Sequence, residues 1–175
     1  MADVNFNMPK QWTDAAQAAG MDDASGSLEY ELIELLFFAY RDFISDPDEI
    51  LAEYGFGRAH HRVLHFVSRN PGIRVTELLD ILKITKQSLG RVLKQLIDED
   101  FIEQRTGPLD RRQRLLYATD KGRALSERLA APQSRRLARA LAELPEGGHE
   151  IARQFLYRII DENERARVAH LANKR

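Results

Sequence analysis

The sequence contains no cysteine, and this absence excludes several classes of function. A chain without cysteine cannot form disulfides, bind metals through thiolates or use a thiol as a redox switch. It also lacks any apolar run near the roughly 18 residues that a membrane-spanning helix needs. Its first residues, MADVNFNMPKQW, show no basic segment followed by an apolar one, as a secretory signal would. We therefore expect a cytoplasmic protein without a membrane partner.

Motifs of common enzyme classes are missing as well. The sequence has no P-loop, no G-x-S-x-G nucleophile elbow and no H-E-x-x-H zinc motif. Serine, histidine and aspartate occur, but at no spacing that suggests a catalytic triad. His61 and His65 could place two imidazoles on one helix face, yet no further ligands stand at a specific spacing. We expect no enzyme activity, no metal and no cofactor.

Charge is distributed unevenly along the 175 residues, although their net charge is only −1. Residues 1–54 carry 2 basic and 12 acidic side chains, and residues 55–118 carry 12 basic and 7 acidic. Residues 119–175 carry 12 basic and 8 acidic side chains. A localised basic surface, rather than the total charge, decides whether a protein can bind nucleic acid. A nucleic-acid partner is therefore possible, and the alternative is that the acidic front pairs with the basic back inside the fold.

Residues 28–45 predict a helix that is apolar over most of its circumference. Leu32 and Leu36 lie on one face, and Ile33 and Phe37 lie on a second. Such a helix needs apolar partners on more than one side. A second subunit would be one such partner. The alternative is a central core helix of a single chain.

Two short helices in the middle of the chain are joined by a tight turn, which is the helix-turn-helix pattern. Thr76 can cap the first helix and Thr85 the second, because a threonine hydroxyl accepts from the backbone N–H groups of the first turn. Leu89 and Leu93 of the second helix face inward. The candidate DNA-binding residues of this second helix are Thr85, Lys86, Gln87, Ser88, Arg91 and Lys94.

The outward residues of that second helix suit base recognition. Gln87 can make a bidentate contact to adenine, and Arg91 can make one to guanine. Lys86 and Ser88 can touch bases or phosphates. The alternative is a solvated helix face, which would have a similar composition.

A turn rich in arginine follows, between two short strands predicted at residues 101–105 and 114–118. It contains Asp110, Arg111, Arg112 and Arg114, and clustered like charges repel unless an anion meets them. Asp110 can hold the Arg112 guanidinium through charge-assisted hydrogen bonds, while Arg111 and Arg114 can meet phosphates. The alternative is an exposed ion-pair turn that contributes little to stability.

The order helix, helix, recognition-like helix, strand, basic turn, strand describes a winged helix-turn-helix. The stretches ITKQSLGRVLKQLIDEDFIEQ and DRRQRLLYATDKG, in this order and spacing, make the chain from about residue 28 to residue 160 resemble the multiple antibiotic resistance regulator (MarR) family of bacterial transcription factors. The resemblance implies a mainly α fold with a small β-wing, in which Arg112 is the wing arginine that enters the minor groove. Asp100 departs from the family, which usually has glycine there, where left-handed backbone favours glycine.

The resemblance also implies a homodimer that responds to a small effector, often aromatic or carboxylate-bearing. Family effectors bind between the dimerisation helices and the DNA-binding lobe, and the candidate lining residues are Phe37, Tyr40, Arg41, His60 and His61. Arg41 could meet an effector carboxylate. The alternative is an ion pair between Arg41 and a nearby Asp or Glu.

Four segments are expected along the chain. They are a flexible arm at 1–26, a dimerisation region at 27–54, a winged helix-turn-helix lobe at 55–120, and C-terminal helices at 121–175 that complete the dimerisation region. Pro132 should break or kink the first of these C-terminal helices. A last helix is expected from 149 to 172, with Ile151, Phe155, Leu156, Ile159 and Ile160 inside.

The expected function is a ligand-responsive transcriptional regulator, a repressor, that binds pseudo-palindromic double-stranded DNA as a homodimer. The alternative is a winged-helix protein-interaction module that does not bind DNA.

Overall fold

The computed structural model describes residues 29–108, 110 and 112–173. Its elements are α1 (Tyr30–Ser45), α2 (Asp48–Ala52), α3 (Arg58–Arg69), β1 (Ile73–Arg74), α4 (Val75–Leu82), α5 (Lys86–Asp98), β2 (Ile102–Thr106), β3 (Arg114–Ala118), α6 (Asp120–Ala142), α7 (Gly148–Ile159) and α8 (Glu162–Ala172). The arm predicted for residues 1–26 lies outside this range. Among the described residues, no helix is long and apolar enough to cross a membrane.

Two compact units divide the chain between Phe37 and Phe38, within α1. In the first unit, the large apolar side chains of α1 are 43% to 68% exposed, and none of the helix's residues is buried. These exposed residues are Tyr30, Leu32, Ile33, Leu35, Leu36 and Phe37. The alternative of a central core helix is therefore wrong for the single chain.

The core of the second unit is the helix-turn-helix lobe. Apolar residues spaced three and four apart on each helix turn one face inward, and these faces pack together. The buried set includes Val63, Leu64 and Val67 of α3, Leu78 and Leu82 of α4, and Leu89, Val92, Leu93 and Leu96 of α5. Ile102 and Leu116 of the sheet and Leu125 and Leu129 of α6 join this set, together with Leu51, Phe56, Ile73, Phe101 and Ala118.

The first helix of the motif begins differently from the prediction. Arg74, not Thr76, is the N-cap residue of α4. The Glu77 carboxylate accepts a hydrogen bond from the Arg74 backbone N–H at 2.8 Å and pairs with the Arg74 guanidinium at 2.8 Å. The cap thus depends on an acid at the third helical position, which satisfies a backbone donor just outside the helix.

The second helix, α5, begins with the predicted cap and is followed by a left-handed turn. Thr85 Oγ1 accepts from the Ser88 backbone N–H at 3.1 Å. Beyond the helix, Asp100 takes the left-handed conformation, with φ 61°. Aspartate is one of the few non-glycine residues that enter this region. The backbone turn expected of the family is therefore kept without glycine.

A three-stranded antiparallel sheet in the order β1-β3-β2 carries the wing. The predicted hairpin pairs Ile102 with Ala118 and Arg105 with Leu115. The strand β1 was not predicted, because two residues are too few to show an alternating pattern. It forms because Ile73 pairs with Leu116 of β3 and is buried there.

Helix α6 runs without interruption through Pro132, so the break predicted there is absent. Tertiary contacts hold the helix on both sides of the proline. Leu129 is buried before it, and after it Gln133 Nε2 donates to the Phe43 carbonyl at 3.0 Å. Arg136 pairs with Asp46 at 2.7 Å, and this guanidinium lowers the pKa of the Asp46 carboxyl.

The predicted last helix is in fact two helices, α7 and α8, separated by extended backbone at Ile160. Arg165 stabilises the break, because its guanidinium donates to the carbonyls of Ile160 at 2.9 Å and Arg158 at 2.7 Å. The prediction that the apolar residues of α7 lie inside is also wrong for the single chain. Ile151, Phe155, Leu156 and Ile159 are 47% to 67% exposed.

Candidate nucleic-acid interface

The exposed face of α5 is defined by the burial of its opposite face. Leu89, Val92, Leu93 and Leu96 pack into the core, so Lys86, Gln87, Gly90, Arg91 and Lys94 point away from it. Lys94 pairs with Asp98 one turn later. Within the described part of the chain, the side chains of Lys86, Gln87 and Arg91 have no hydrogen bond or ion pair, so their donors are available to a ligand.

Thr85 and Ser88 have a structural task at the start of this helix. Besides accepting from the Ser88 N–H, Thr85 Oγ1 donates to the Ser88 hydroxyl oxygen at 2.9 Å. Ser88 is half-buried. The structure therefore gives both predicted DNA-binding residues a role in capping α5.

Replacing Thr85 by alanine should cost about 1 kcal/mol of folding stability, since the Ser88 N–H loses its acceptor. Urea unfolding of the variant and the wild type measures this difference. Thr76→Ala is the matched control, because Thr76 is exposed and caps no helix in the structure. Equal stability of Thr85→Ala and the wild type would contradict the role of this cap.

His60 lies against α5, and its predicted place in an effector pocket stays a prediction. Its Nδ1 accepts from the Gly57 N–H at 3.1 Å, and its ring stacks on Phe56 with centroids 4.7 Å apart. Since Nδ1 accepts, Nε2 carries the proton of the neutral ring and donates to Gln95 Oε1 at 2.9 Å. Gln95 in turn donates to the Glu99 carboxylate at 2.9 Å.

This chain of hydrogen bonds joins the start of α3 to the recognition-like helix. His60 and Gln95 also line an open pocket of about 260 Å³ with Ser88, Arg91 and Val92. Sequence reasoning missed Gln95, because a glutamine four residues after Arg91 looks like part of the solvated face. The link adds a polar contact to the apolar packing that orients α5 and its exposed side chains.

The wing turn is ordered by Asp110, although not in the predicted way. Asp110 Oδ1 accepts from the backbone N–H of Arg112 at 2.9 Å. The Asp110 carbonyl accepts from Gln113 N–H at 3.0 Å, and Gly107 N–H donates to the Gln113 carbonyl at 3.0 Å. Asp110 therefore stabilises the backbone of the turn, and the predicted hold on the Arg112 guanidinium is not formed.

The arginines of the turn have different surroundings. In the described residues, the Arg112 guanidinium has no ion pair or hydrogen bond and is exposed. Arg114 Nη1 donates to Thr106 Oγ1 at 3.1 Å, across the strand pair that closes the turn. Arg111 lies outside the described residues. Arg112 is thus the described wing arginine whose charge is directed to solvent.

The sequence of this lobe is similar to those of known proteins. Residues 54–113, from α3 to the wing, match the sequence profile of the MarR family. The chain is also 50% identical over 108 residues to the HTH-type transcriptional regulator PetP of Rhodobacter capsulatus. This lobe is therefore similar to the MarR family. The aligned region covers 62% of this chain and 65% of the relative, less than two thirds of the relative's length.

Solved structures show that the fold is also that of the MarR family. A crystal structure of MarR matches with a TM-score of 0.61 and 23% identity, over 85% of this chain and 99% of that one. A MarR protein from Peptoclostridium difficile matches with a TM-score of 0.66 and 20% identity, over 85% and 99%. A putative MarR-family regulator from Listeria monocytogenes, complexed with 26mer DNA, matches with a TM-score of 0.65 and 22% identity, over 89% and 99%. The names of the family and of PetP are those of transcriptional regulators, not of enzymes.

The other residues predicted for an effector pocket are exposed or half-buried, and one of them forms an ion pair. Arg41 Nε donates to Asp42 Oδ1 at 2.8 Å, as the alternative of an ion pair predicted, and its guanidinium lies 5.0 Å from the Phe38 ring centroid. Phe37 and Tyr40 are exposed. His61 is half-buried, and burial lowers the pKa of its imidazole, with a smaller contribution from His65.

Proposed function

We propose that this protein is a transcriptional regulator of the MarR family that binds duplex DNA. Helix α5 would enter the major groove, and the wing would lie beside the phosphate backbone. One observation carries the proposal: within the described chain, several exposed donors have no partner. They belong to Lys86, Gln87, Arg91 and the guanidinium of Arg112, and the packed core lies on the opposite side of α5. Such binding would place the protein in the cytoplasm, with the bacterial DNA.

The contacts divide into two kinds. Gln87 and Arg91 carry flat groups with paired hydrogen-bonding positions, which suit base edges. Lys86 and Arg112 are cations on flexible stems, which suit phosphates and a narrow minor groove. The DNA complex of the Listeria monocytogenes regulator and the name of the PetP relative support DNA binding as such, and the division of contacts rests on the chemistry of the side chains.

A gel shift with a random duplex at low salt tests DNA binding itself. Neutralised phosphates give affinity for any sequence, and the affinity should fall steeply as salt rises. Retardation that disappears with salt supports the proposal. No retardation at any salt concentration would favour the winged-helix interaction module instead.

The functional unit would be a homodimer. The exposed apolar residues of α1 and those of α7 are the kind of surface that marks an interface in a protein. Two copies would present two α5 helices to half-sites about one helical turn apart, so the operator should be pseudo-palindromic.

Sedimentation at micromolar concentration should therefore give about twice the chain mass of 20.1 kDa. Phe155→Glu should shift the equilibrium toward the monomer, because a buried unpaired charge at an apolar interface is unfavourable. Glu150→Gln on the same helix is the control, since Glu150 pairs with Arg153 and is exposed. A wild-type monomer that binds a palindrome tightly would contradict the dimer.

Regulation would consist of repression that a small ligand relieves. An aromatic or carboxylate-bearing effector lowers DNA affinity only if it binds more tightly to the arrangement that cannot bind DNA than to the one that can. The difference between these two binding free energies is a coupling energy of roughly 1–3 kcal/mol. Operator selection from random duplexes, repeated with aromatic carboxylates, tests this. Identical selection and affinity with every ligand would contradict regulation by that class of effector.

A further inference from the structure

Gly90 occupies the middle of the exposed face of α5. Lys86 and Lys94 lie one turn away on either side, and Gln87 and Arg91 border it. A glycine inside a helix is less favourable than alanine, because its backbone loses more freedom on folding. The position is therefore one where the fold by itself would gain from a larger residue.

Nothing within the described chain requires glycine at this position. A Cβ at residue 90 would have no heavy atom within 4 Å beyond its own helix backbone. Its backbone is helical, and the described glycines with positive φ are Gly55, Gly72 and Gly147. Gly122 shows the contrast, since a Cβ there would overlap the Phe101 carbonyl oxygen. The space over Gly90 is open, and it opens toward the proposed ligand.

We propose that Gly90 is the point where the backbone of α5 comes into van der Waals contact with the base edges of bound DNA. The inference rests on the proposed DNA-binding function and deepens it, because it makes a residue without a side chain a determinant of specificity. A Cβ would hold the helix away from the groove floor by about one C–C bond length, ~1.5 Å.

That displacement affects two kinds of contact differently. Gln87 and Arg91 must bring paired donors and acceptors to fixed positions on a base pair, so a small retreat of the helix lengthens their hydrogen bonds. Lys86 and the wing reach phosphates with flexible side chains that can extend to compensate. Specific binding should therefore suffer while non-specific binding remains.

The experiment compares Gly90→Ala with the wild type in thermal unfolding and in affinity for two duplexes, the operator selected by the wild type and a random duplex. Gly90→Ala should raise Tm by about 2–4 °C, because helix propensity improves and no clash arises. It should weaken operator binding at least about fivefold, which is the loss of affinity expected from the weakest kind of bidentate base contact. Affinity for the random duplex should stay within about twofold.

Ser134→Ala is the matched control. Ser134 is exposed on α6, so this variant also improves helix propensity but lies outside the proposed recognition face. It should leave operator affinity unchanged. Gly90→Ala with wild-type operator affinity would overturn the inference, as would a lower Tm or an equal loss on both duplexes. A wild-type chain that bound neither duplex would overturn the proposed function as well, which separates the two failures.

Discussion

Replacing Arg112 by alanine is expected to weaken DNA binding at every operator, at least about tenfold, because it removes a charge-assisted hydrogen bond. The guanidinium is exposed at the tip of the wing and has no partner in the described residues. Arginine suits the narrow minor groove of A·T-rich DNA, where the negative potential is strongest. The loss should therefore be largest for operators with A·T-rich flanks.

Two further variants separate the contribution of the Arg112 charge from those of wing order and of base recognition by α5. Asp110→Ala should weaken binding less than Arg112→Ala, because it removes only the acceptor of the Arg112 backbone N–H and leaves the arginine in place. Arg91→Ala should instead relax the preference at one base position, as the loss of a bidentate base contact does. The three variants thus distinguish the charge of the wing, the order of the wing and base recognition.

A salt series on operators with A·T-rich and G·C-rich flanks provides the measurement. Each lost phosphate contact should flatten the slope of log affinity against log salt by about one unit. If Arg112→Ala binds like the wild type on all operators, the Arg112 side chain has no role in DNA binding.

Replacing Gly122 by alanine is expected to destabilise the fold by about 3 kcal/mol or more, at the upper end of the range for overpacking. Gly122 is buried in the first turn of α6, where a Cβ would overlap the Phe101 carbonyl oxygen and lie 3.0 Å from the carbonyl carbon. Because these neighbours are backbone atoms, no change of rotamer can relieve the overlap. The end of the recognition helix and the start of β2 would have to move.

Hydrogen bonds of Thr119 stabilise the close approach of Gly122 to the Phe101 carbonyl. Thr119 Oγ1 accepts from the Gly122 N–H at 3.0 Å and donates to the Asp100 carbonyl at 2.7 Å. Urea unfolding of Gly122→Ala measures the loss, and Gly90→Ala provides the same chemical change at an open helical position. The two variants should change stability in opposite directions. A Gly122→Ala protein as stable as the wild type would show that the contact can relax at little cost.

The sequence by itself determined the elements whose reasons are local. The spacing of Leu89 and Leu93 fixed which face of α5 is buried, since a helix repeats every 3.6 residues. Thr85 caps α5 through a backbone donor only three residues away. The resemblance to the MarR family added the significance of Arg112. The matching profile supports that resemblance, and the solved structures confirm the fold.

Only the tertiary structure decided the features that depend on distant partners. His60 bonds to Gln95, 35 residues away, and no local pattern announces this link. The Asp110 carboxylate accepts from the Arg112 backbone N–H, whereas the composition of the turn suggested the Arg112 guanidinium as its partner. The backbone geometry of the turn decides which of these donors meets the carboxylate. The apolar side chains of α7 read as interior from their periodicity, yet the single chain leaves them exposed. Periodicity reveals that a face is apolar, whereas what covers that face depends on which surfaces folding brings together.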